Sequence, residues 1–333
     1  MRLKAAFLSV LISLSLCGCG VYKEADMQYT VAALGFEGGS TVSVYAEIIT
    51  VNPESTKQET GNLLASAQGE TVKEAISSLK HSLSKPLFFS HCGLICLGES
   101  LKANRIKEIL DYCYENDEIN HSVYFISSDN TEELLSLSSQ SEMATGYDIM
   151  GVIRQAAKAE CVDYNNRYYE IEAVRQGVQD IFSLPIFKVQ DGSPLLNGIR
   201  IYKNCEKTND LTNEETYSYY LLRDLTKKGS IITDGKTVKI TSKDDDFGVS
   251  LDEKLHISLE TEIGFKGNEE FISTVQKQSE ELIKKSIYIY KTDIFGFGAR
   301  IHKRNEKLWN KIGENYSEFY LNSDISFKLT GRN

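Results

Sequence analysis

Two hydrophobic periods alternate along most of this chain. Residues 29–36 and 41–50 are strand-like runs separated by Gly38-Gly39, the pattern of a β-hairpin. From Glu70 to Leu83 the apolar spacing becomes helical, with Val72, Ala75, Ile76, Leu79 and Leu83 on one stripe. Residues 87–97 read as one buried strand, followed by a helix over 99–114 and a strand over 122–127. Asn130 with Glu133 three positions on is a capping-box-like helix start, and further helices are predicted near 143–160 and 168–182. Strands interleaved with helices predict a mixed sheet layered with helices.

The second half has a different rhythm. Two of the four prolines, Pro185 and Pro194, fall within 184–198, which predicts a boundary there. A strand begins at Gly198-Ile199-Arg200-Ile201-Tyr202, and a helix follows Leu211, with Thr212 or Asn213 as its cap and Glu214-Glu215 in its first turn. Strands are predicted over 237–241 and 255–263, a long amphipathic helix over 269–290, a shorter one over 307–320, and a last strand carrying Ile325, Phe327 and Leu329 on one face. Phe271, Tyr288, Tyr290, Trp309, Tyr316 and Phe319 are expected to pack in this core. The predicted class is α+β (mixed α/β) and multidomain: an N-terminal mixed sheet with helices, and a C-terminal antiparallel sheet packed on the long helix. The expected units are 1–18, 19–29, 30–190 and 195–333, with 195–235 as a small subdomain of the last, before 236–333.

The first twenty residues carry a separate signal. Arg2 and Lys4 precede an apolar run from Ala5 to Leu16, too short to span a bilayer but suited to the h-region of an export signal. Leu16-Cys17-Gly18-Cys19 then resembles a lipobox, with Leu16 three residues and the small Gly18 one residue before Cys19. Cys19 is therefore the expected lipid attachment point. Cys17, preceded by the bulky Leu16, does not fit. An ordinary cleaved signal peptide is the alternative reading. A diacylglyceryl group supplies two acyl chains, enough for stable anchoring where one chain is marginal. About ten residues separate Gly20 from the first apolar run, a leash of no more than roughly 35 Å.

Charge narrows the partners. The 333-residue chain carries a net charge of −10, which becomes −12 once Arg2 and Lys4 leave with the leader. Phosphate backbones are bound by clustered Lys and Arg, so no nucleic-acid partner is expected. Nor does the chain show a familiar catalytic pattern. Cys92, Cys96, Cys113, Cys161 and Cys205 are an odd, scattered set, read as structural; His91, Cys92 and Cys96 would lie too far apart along a strand to share one metal ion. Gly296-Phe297-Gly298-Ala299-Arg300-Ile301 lacks the third glycine of a dinucleotide fingerprint and follows a helix pattern. Asp244-Asp245-Asp246-Phe247-Gly248 lacks calcium-loop spacing and reads as a solvated turn. Catalytic residues, metal and cofactor are accordingly all expected to be none.

Four ordered segments carry a resemblance. They are the lipobox followed by Val31-Ala32-Ala33-Leu34-Gly35-Phe36-Glu37; Lys85-Pro86-Leu87-Phe88-Phe89-Ser90-His91-Cys92-Gly93-Leu94-Ile95-Cys96-Leu97-Gly98-Glu99; Leu184-Pro185 leading into Leu196-Asn197-Gly198-Ile199-Arg200-Ile201-Tyr202-Lys203; and Lys291-Thr292-Asp293-Ile294-Phe295-Gly296-Phe297-Gly298 with Trp309 and the closing Leu329-Thr330-Gly331. Together they resemble the Ger(x)C or GerAC lipoproteins, the C subunits of spore nutrient germinant receptors. That resemblance implies a non-enzymatic, lipid-anchored subunit on the outer face of the spore inner membrane, working with A- and B-type integral membrane subunits. Asp293, Gly296 and Gly298 would shape a turn after the long helix. A lipid-anchored solute-binding protein shares the leader and size, and would show two similar lobes around a cleft. An exported hydrolase would need a nucleophile–base pair, and none is recognisable.

Overall fold

A computed structural model describes residues 27–51, 60–139, 143–233 and 235–332. Cys19 and the leader lie outside the described residues. Strands β1 (Tyr29–Glu37) and β2 (Val42–Val51) form the predicted hairpin. A further strand, β3 (Thr60–Gly69), pairs antiparallel with β2. Helix α1 (Val72–Ser82) starts where the Thr71 hydroxyl accepts the Glu74 N–H at 3.2 Å. Where one strand is expected over 87–97, the chain makes β4 (Leu87–Phe88), a turn, and β5 (Leu94–Gly98). The turn is closed by Cys92 N donating to Phe89 O, which puts two apolar residues, Phe89 and Cys92, in the core without a strand between them.

Helix α2 (Ala103–Glu115), β6 (Tyr124–Ser128), α3 (Thr131–Leu135), α4 (Thr145–Glu160) and α5 (Tyr168–Arg175) complete the first half. Asn130 caps α3 by accepting the Glu133 N–H at 3.0 Å. The helix predicted to run to 182 stops at Arg175, because Ile181 already begins strand β7 (Ile181–Gln190). β7 turns through Asp191-Gly192, both at positive φ, into β8 (Ser193–Lys203), and β9 (Glu206–Leu211) pairs with β8. The 184–198 stretch is thus a hairpin, with sheet pairing on both sides of the expected boundary. Pro185 is tolerated inside β7 because the ladder shifts register between Pro185 and Phe187, where a missing N–H does least harm.

These strands make a nine-stranded mixed sheet in the order β3-β2-β1-β5-β6-β7-β8-β9, with β4 beside β1; β1, β5, β6 and β7 run parallel. β5 and β6 are buried on both faces, which explains their continuous apolar sequence. Ile95, Leu97 and Phe125 face a core completed by α1, α2 and α5. Leu94, Cys96, Tyr124 and Ile126 face the opposite way, into a core shared with α3, α4 and α6 (Asn213–Leu222).

The second sheet has the order β10 (Gly229–Thr233), β11 (Lys236–Leu251), β12 (Leu255–Lys266), β13 (Asp324–Arg332). Asp244, Asp245 and Asp246 lie within β11, opposite Glu262, Thr261 and Glu260, and not in a turn. Asp245 is held there by Lys243 at 2.7 Å and by the Thr261 hydroxyl at 2.7 Å. The C-terminal sheet is also not purely antiparallel, since β13 runs parallel to β12. Its physical cause is the connection: α7 (Glu270–Tyr288), α8 (Phe297–Arg304), α9 (Glu306–Ile312) and α10 (Tyr316–Leu321) carry the chain back across the sheet, and a crossover of that kind permits parallel pairing. α7 buries Phe271, Val275, Leu282 and Ile283 in the same apolar cluster as Ile257, Leu259, Ile263 and Phe327. Among the aromatics expected in this core, Phe271 and Tyr316 are buried, whereas Tyr288 points to solvent at 73% exposure. No helix among the described residues is long and apolar enough to cross a membrane.

Candidate functional site

Open α/β sheets bind ligands in the crevice beyond the carboxyl ends of their parallel strands. Here that position is filled by the protein itself. Arg200, on β8, is fully buried and lies directly opposite Asp210 on β9. Its Nε donates to Asp210 Oδ1 at 2.8 Å and its Nη2 to Asp210 Oδ2 at 2.9 Å, a two-pronged pairing. Nη2 also donates to Asp129 Oδ1 at 3.0 Å, and Nη1 to Ser127 Oγ at 2.9 Å, at the carboxyl end of β6. Glu99, just past the end of β5, is 3.6 Å from Arg200 and pairs with Lys207; Lys188 pairs with Asp129 at 3.3 Å. Burial alone would push the Asp210 and Asp129 carboxyls up, but the Arg200 hydrogen bonds and the neighbouring cations hold both below their ordinary range. Three cations meet three carboxylates, so the network neutralises its own charge.

A second buried charge joins the sheet to α4. Glu47 on β2 is fully buried; its Oε1 accepts from Thr145 N at 2.6 Å and Asn62 Nδ2 at 2.8 Å, and its Oε2 from Gly146 N at 2.9 Å. It caps α4 from a distant strand, because Ala144, at the N-cap, has no side chain to do so. Gly146 permits the approach, since a Cβ there would sit 2.8 Å from the Ala33 Cβ. Burial pushes the Glu47 carboxyl up, and the hydrogen bonds from Asn62, Gly146 and Thr145 only partly offset this.

A second buried carboxylate, Asp293, organises the turn after α7. Its Oδ1 accepts from Phe295 N at 3.1 Å; its Oδ2 accepts from Gly298 N at 3.0 Å, the Tyr316 hydroxyl at 2.8 Å and Gln179 Nε2 at 3.2 Å. Gly296 is at φ 74°, and a Cβ on Gly298 would collide with Gln179 and Tyr316. The Asp293-Gly296-Gly298 turn thus caps α8 and ties it to the segment before β7. Asp293→Ala is expected to destabilise the protein by about 2–3 kcal/mol, since it leaves a buried tyrosine hydroxyl and two N–H groups unpaired; the change in a urea midpoint checks it, and a midpoint equal to wild type would show that the turn is held by packing instead.

A large open space lies at the other end of the first sheet. A groove of about 930 Å³ runs between the second half of α4, the 161–167 segment, the start of α5 and the residues leading into β10. Five cations line it: Arg154, Lys158, Arg167, Lys227 and Lys228, against the carboxylates Asp163 and Glu170. Arg167 stacks on Tyr124, 5.0 Å from its ring centre, and donates to the Tyr124 hydroxyl at 2.9 Å. Lys227 pairs with Asp163 at 2.7 Å. Arg154, Lys158 and Lys228 are exposed. A shallower hollow, lined by His91, Asn120, Tyr147, Arg154 and Arg167, continues from it below the amino ends of β5 and β6.

Cys92, Cys96, Cys113, Cys161 and Cys205 are free and buried. Burial pushes the Cys92 and Cys96 thiols up to about 12 and Cys205 to about 11, so they are held protonated at neutral pH. Among the described residues no three His, Cys, Asp or Glu side chains converge as a metal-ligand set. Sequence reasoning did not single out Glu47, Arg200 or the groove. A charge inside an apolar strand run, as in Tyr45-Ala46-Glu47-Ile48 and Ile199-Arg200-Ile201, is the signal that marks the first two.

Unlike halves, a nine-stranded mixed sheet and a four-stranded one, make a multidomain α+β scaffold and differ from the two similar lobes expected of a solute-binding protein. The sequence also matches two family models: the spore germination protein N-terminal domain over residues 22–171, and the spore germination B3/GerAC-like C-terminal domain over residues 197–331. The chain therefore belongs to the GerAC family of spore germination proteins. It is 23% identical over 232 residues to the spore germination protein GerQC of Bacillus cereus, an alignment spanning 68% of this chain and 63% of that relative's length. Its fold is similar to that of the crystal structure of the GerBC protein, with a TM-score of 0.54 at 15% identity, covering 90% of this chain and 96% of the other.

Proposed function

We propose that this protein is the lipid-anchored, non-enzymatic C subunit of a spore nutrient germinant receptor. It is held by Cys19 on the outer face of the spore inner membrane, where it assembles with A- and B-type integral membrane subunits. Family membership across both halves of the chain is the observation that carries this reading. The lipobox-like Leu16-Cys17-Gly18-Cys19 and the short leash after it support the anchor. A tether of that length raises the effective concentration of the body for membrane-embedded partners without any new contact. The buried thiols, and the Arg200 network filling the strand-end crevice, support a role in assembly over one in catalysis. The units 30–190 and 195–333 would then act as one body, because β7, β8 and β9 extend the first sheet across the division.

Cys19→Ala is the direct test. The variant is expected to be lost from the spore membrane fraction and to cut the rate of nutrient-triggered germination at least tenfold, while germination by non-nutrient routes stays normal. Normal membrane retention together with a normal nutrient response would overturn the reading.

A further inference from the structure

The topology fixes the edge of the sheet at which the N-terminal segment enters the body. β1 begins at Tyr29 and runs parallel to β5 and β6, so the amino ends of all three lie along one edge of the sheet. Neighbouring strands are about 4.8 Å apart, which places the start of β6 about 10 Å from the line of β1. The chain coming from the leash therefore reaches the body at the edge where the basic groove opens, beside Tyr124 at the start of β6. Two further features share that edge. Lys85 sits 5.5 Å over the Tyr29 ring, and exposed Met27 and Tyr169 offer apolar surface of the kind that settles at a bilayer interface.

From this geometry we infer that the groove lined by Arg154, Lys158, Arg167, Lys227 and Lys228 binds the phosphate headgroup of an anionic lipid in the membrane that carries the anchor, and so sets the orientation of the body on the bilayer. The inference builds on the Cys19 anchor proposed above. It reconciles two facts that otherwise conflict: the chain has a net charge of −10, yet the groove gathers five cations against two carboxylates. An acidic body is repelled by an anionic surface except where its cations face it, so the acyl chains supply retention and the groove supplies direction. Exposed Arg154, whose Nε donates to the Met150 carbonyl at 3.1 Å and leaves its two Nη groups to turn outward, exposed Lys158 one turn on along α4, and exposed Lys228 across the groove can each donate to phosphate oxygens.

The test uses the full acylated protein reconstituted into vesicles of phosphatidylcholine alone or of phosphatidylcholine with phosphatidylglycerol. Amine-reactive labelling is read at Lys158, Lys227 and Lys228, with exposed Lys277 on α7 as the internal reference. Labelling of the groove lysines is expected to be several-fold slower on phosphatidylglycerol vesicles, with Lys277 unchanged. Arg154→Gln should weaken that protection at Lys158 by roughly fivefold, the effect of one cation near an anionic surface. Equal labelling on both vesicle types overturns the inference. So does equal protection by inorganic phosphate without vesicles, which would make the groove a site for a free anion. Failure of the protein to stay with neutral vesicles overturns the Cys19 anchor instead, and is read independently of the labelling.

Discussion

Arg200→Ala is expected to cost about 3–5 kcal/mol of stability, among the larger effects open to a single substitution in this protein. The side chain is fully buried, and its removal empties a large volume and deletes the bonds that join Ser127, Asp129 and Asp210. Arg200→Lys should recover only part of the loss, since an ammonium cannot make the two-pronged contact with Asp210. Arg200→Met should cost less than Arg200→Ala, because it refills the volume while Asp129 and Asp210, with side chains 39% and 37% exposed, can return to water. Urea midpoints at neutral pH order the three variants; Arg200→Ala within 1 kcal/mol of wild type would remove the network from any role in holding β6, β8 and β9 together. The pH dependence has a definite sign. Asp129 and Asp210 are held below their ordinary value of 3.8, so their contribution is fully present above that value and is lost as pH falls through the lower folded value. Wild type should lose this increment below about pH 4, and Arg200→Met should not.

Glu47→Ala is the second large effect, about 3–4 kcal/mol. It leaves the buried N–H groups of Thr145 and Gly146 without their acceptor, while the Asn62 amide, at the surface, keeps water and the Leu137 carbonyl at 3.4 Å. Here the pH sign is opposite. Burial raises the Glu47 carboxyl above its ordinary 4.5, so its contribution is greatest below that value and declines as pH rises through the folded one. Glu47→Gln should flatten this segment of the stability curve while costing less than alanine, because its carbonyl oxygen still accepts one of the N–H groups. Chemical denaturation across the acid range, with hydrogen exchange at Thr145 and Gly146, measures both. Unchanged protection of those two amides in Glu47→Ala would show that the helix start is held by something else.

Much of this arrangement was legible in the sequence, because period and capping are local. The β1–β2 hairpin, α1, α4 and the Thr212 cap of α6 follow from residues within one turn or one strand of each other. The misses share a cause, which is tertiary pairing. β3, rich in small and polar residues, is a strand only because β2 offers it an edge. The three aspartates of β11 look like a turn until Lys243 and Thr261 are seen beside them. β13 is parallel because of four helices that precede it. The Cys19 expectation rests on its sequence neighbours alone and falls outside the described residues. Glu47, Arg200 and the groove cations were not legible: Asn62 and Asp210 lie 15 and 10 positions from the first two, but the helix start that Glu47 caps and the Ser127 hydroxyl that Arg200 reaches lie 98 and 73 positions away, and the groove is assembled by several elements.

The placement of β7 has a consequence for how this protein can be divided. Residues 181–190 fall between the two segments that match family models, yet they pair with β6 on one side and β8 on the other. Severing the polypeptide at 181 would strip β7 from its parallel partner β6, and severing it at 190 would strip β7 from its antiparallel partner β8; either cut leaves amides and carbonyls open to any passing chain, an invitation to aggregate. Dissected halves would fail for that reason before any question of germination could be put to them.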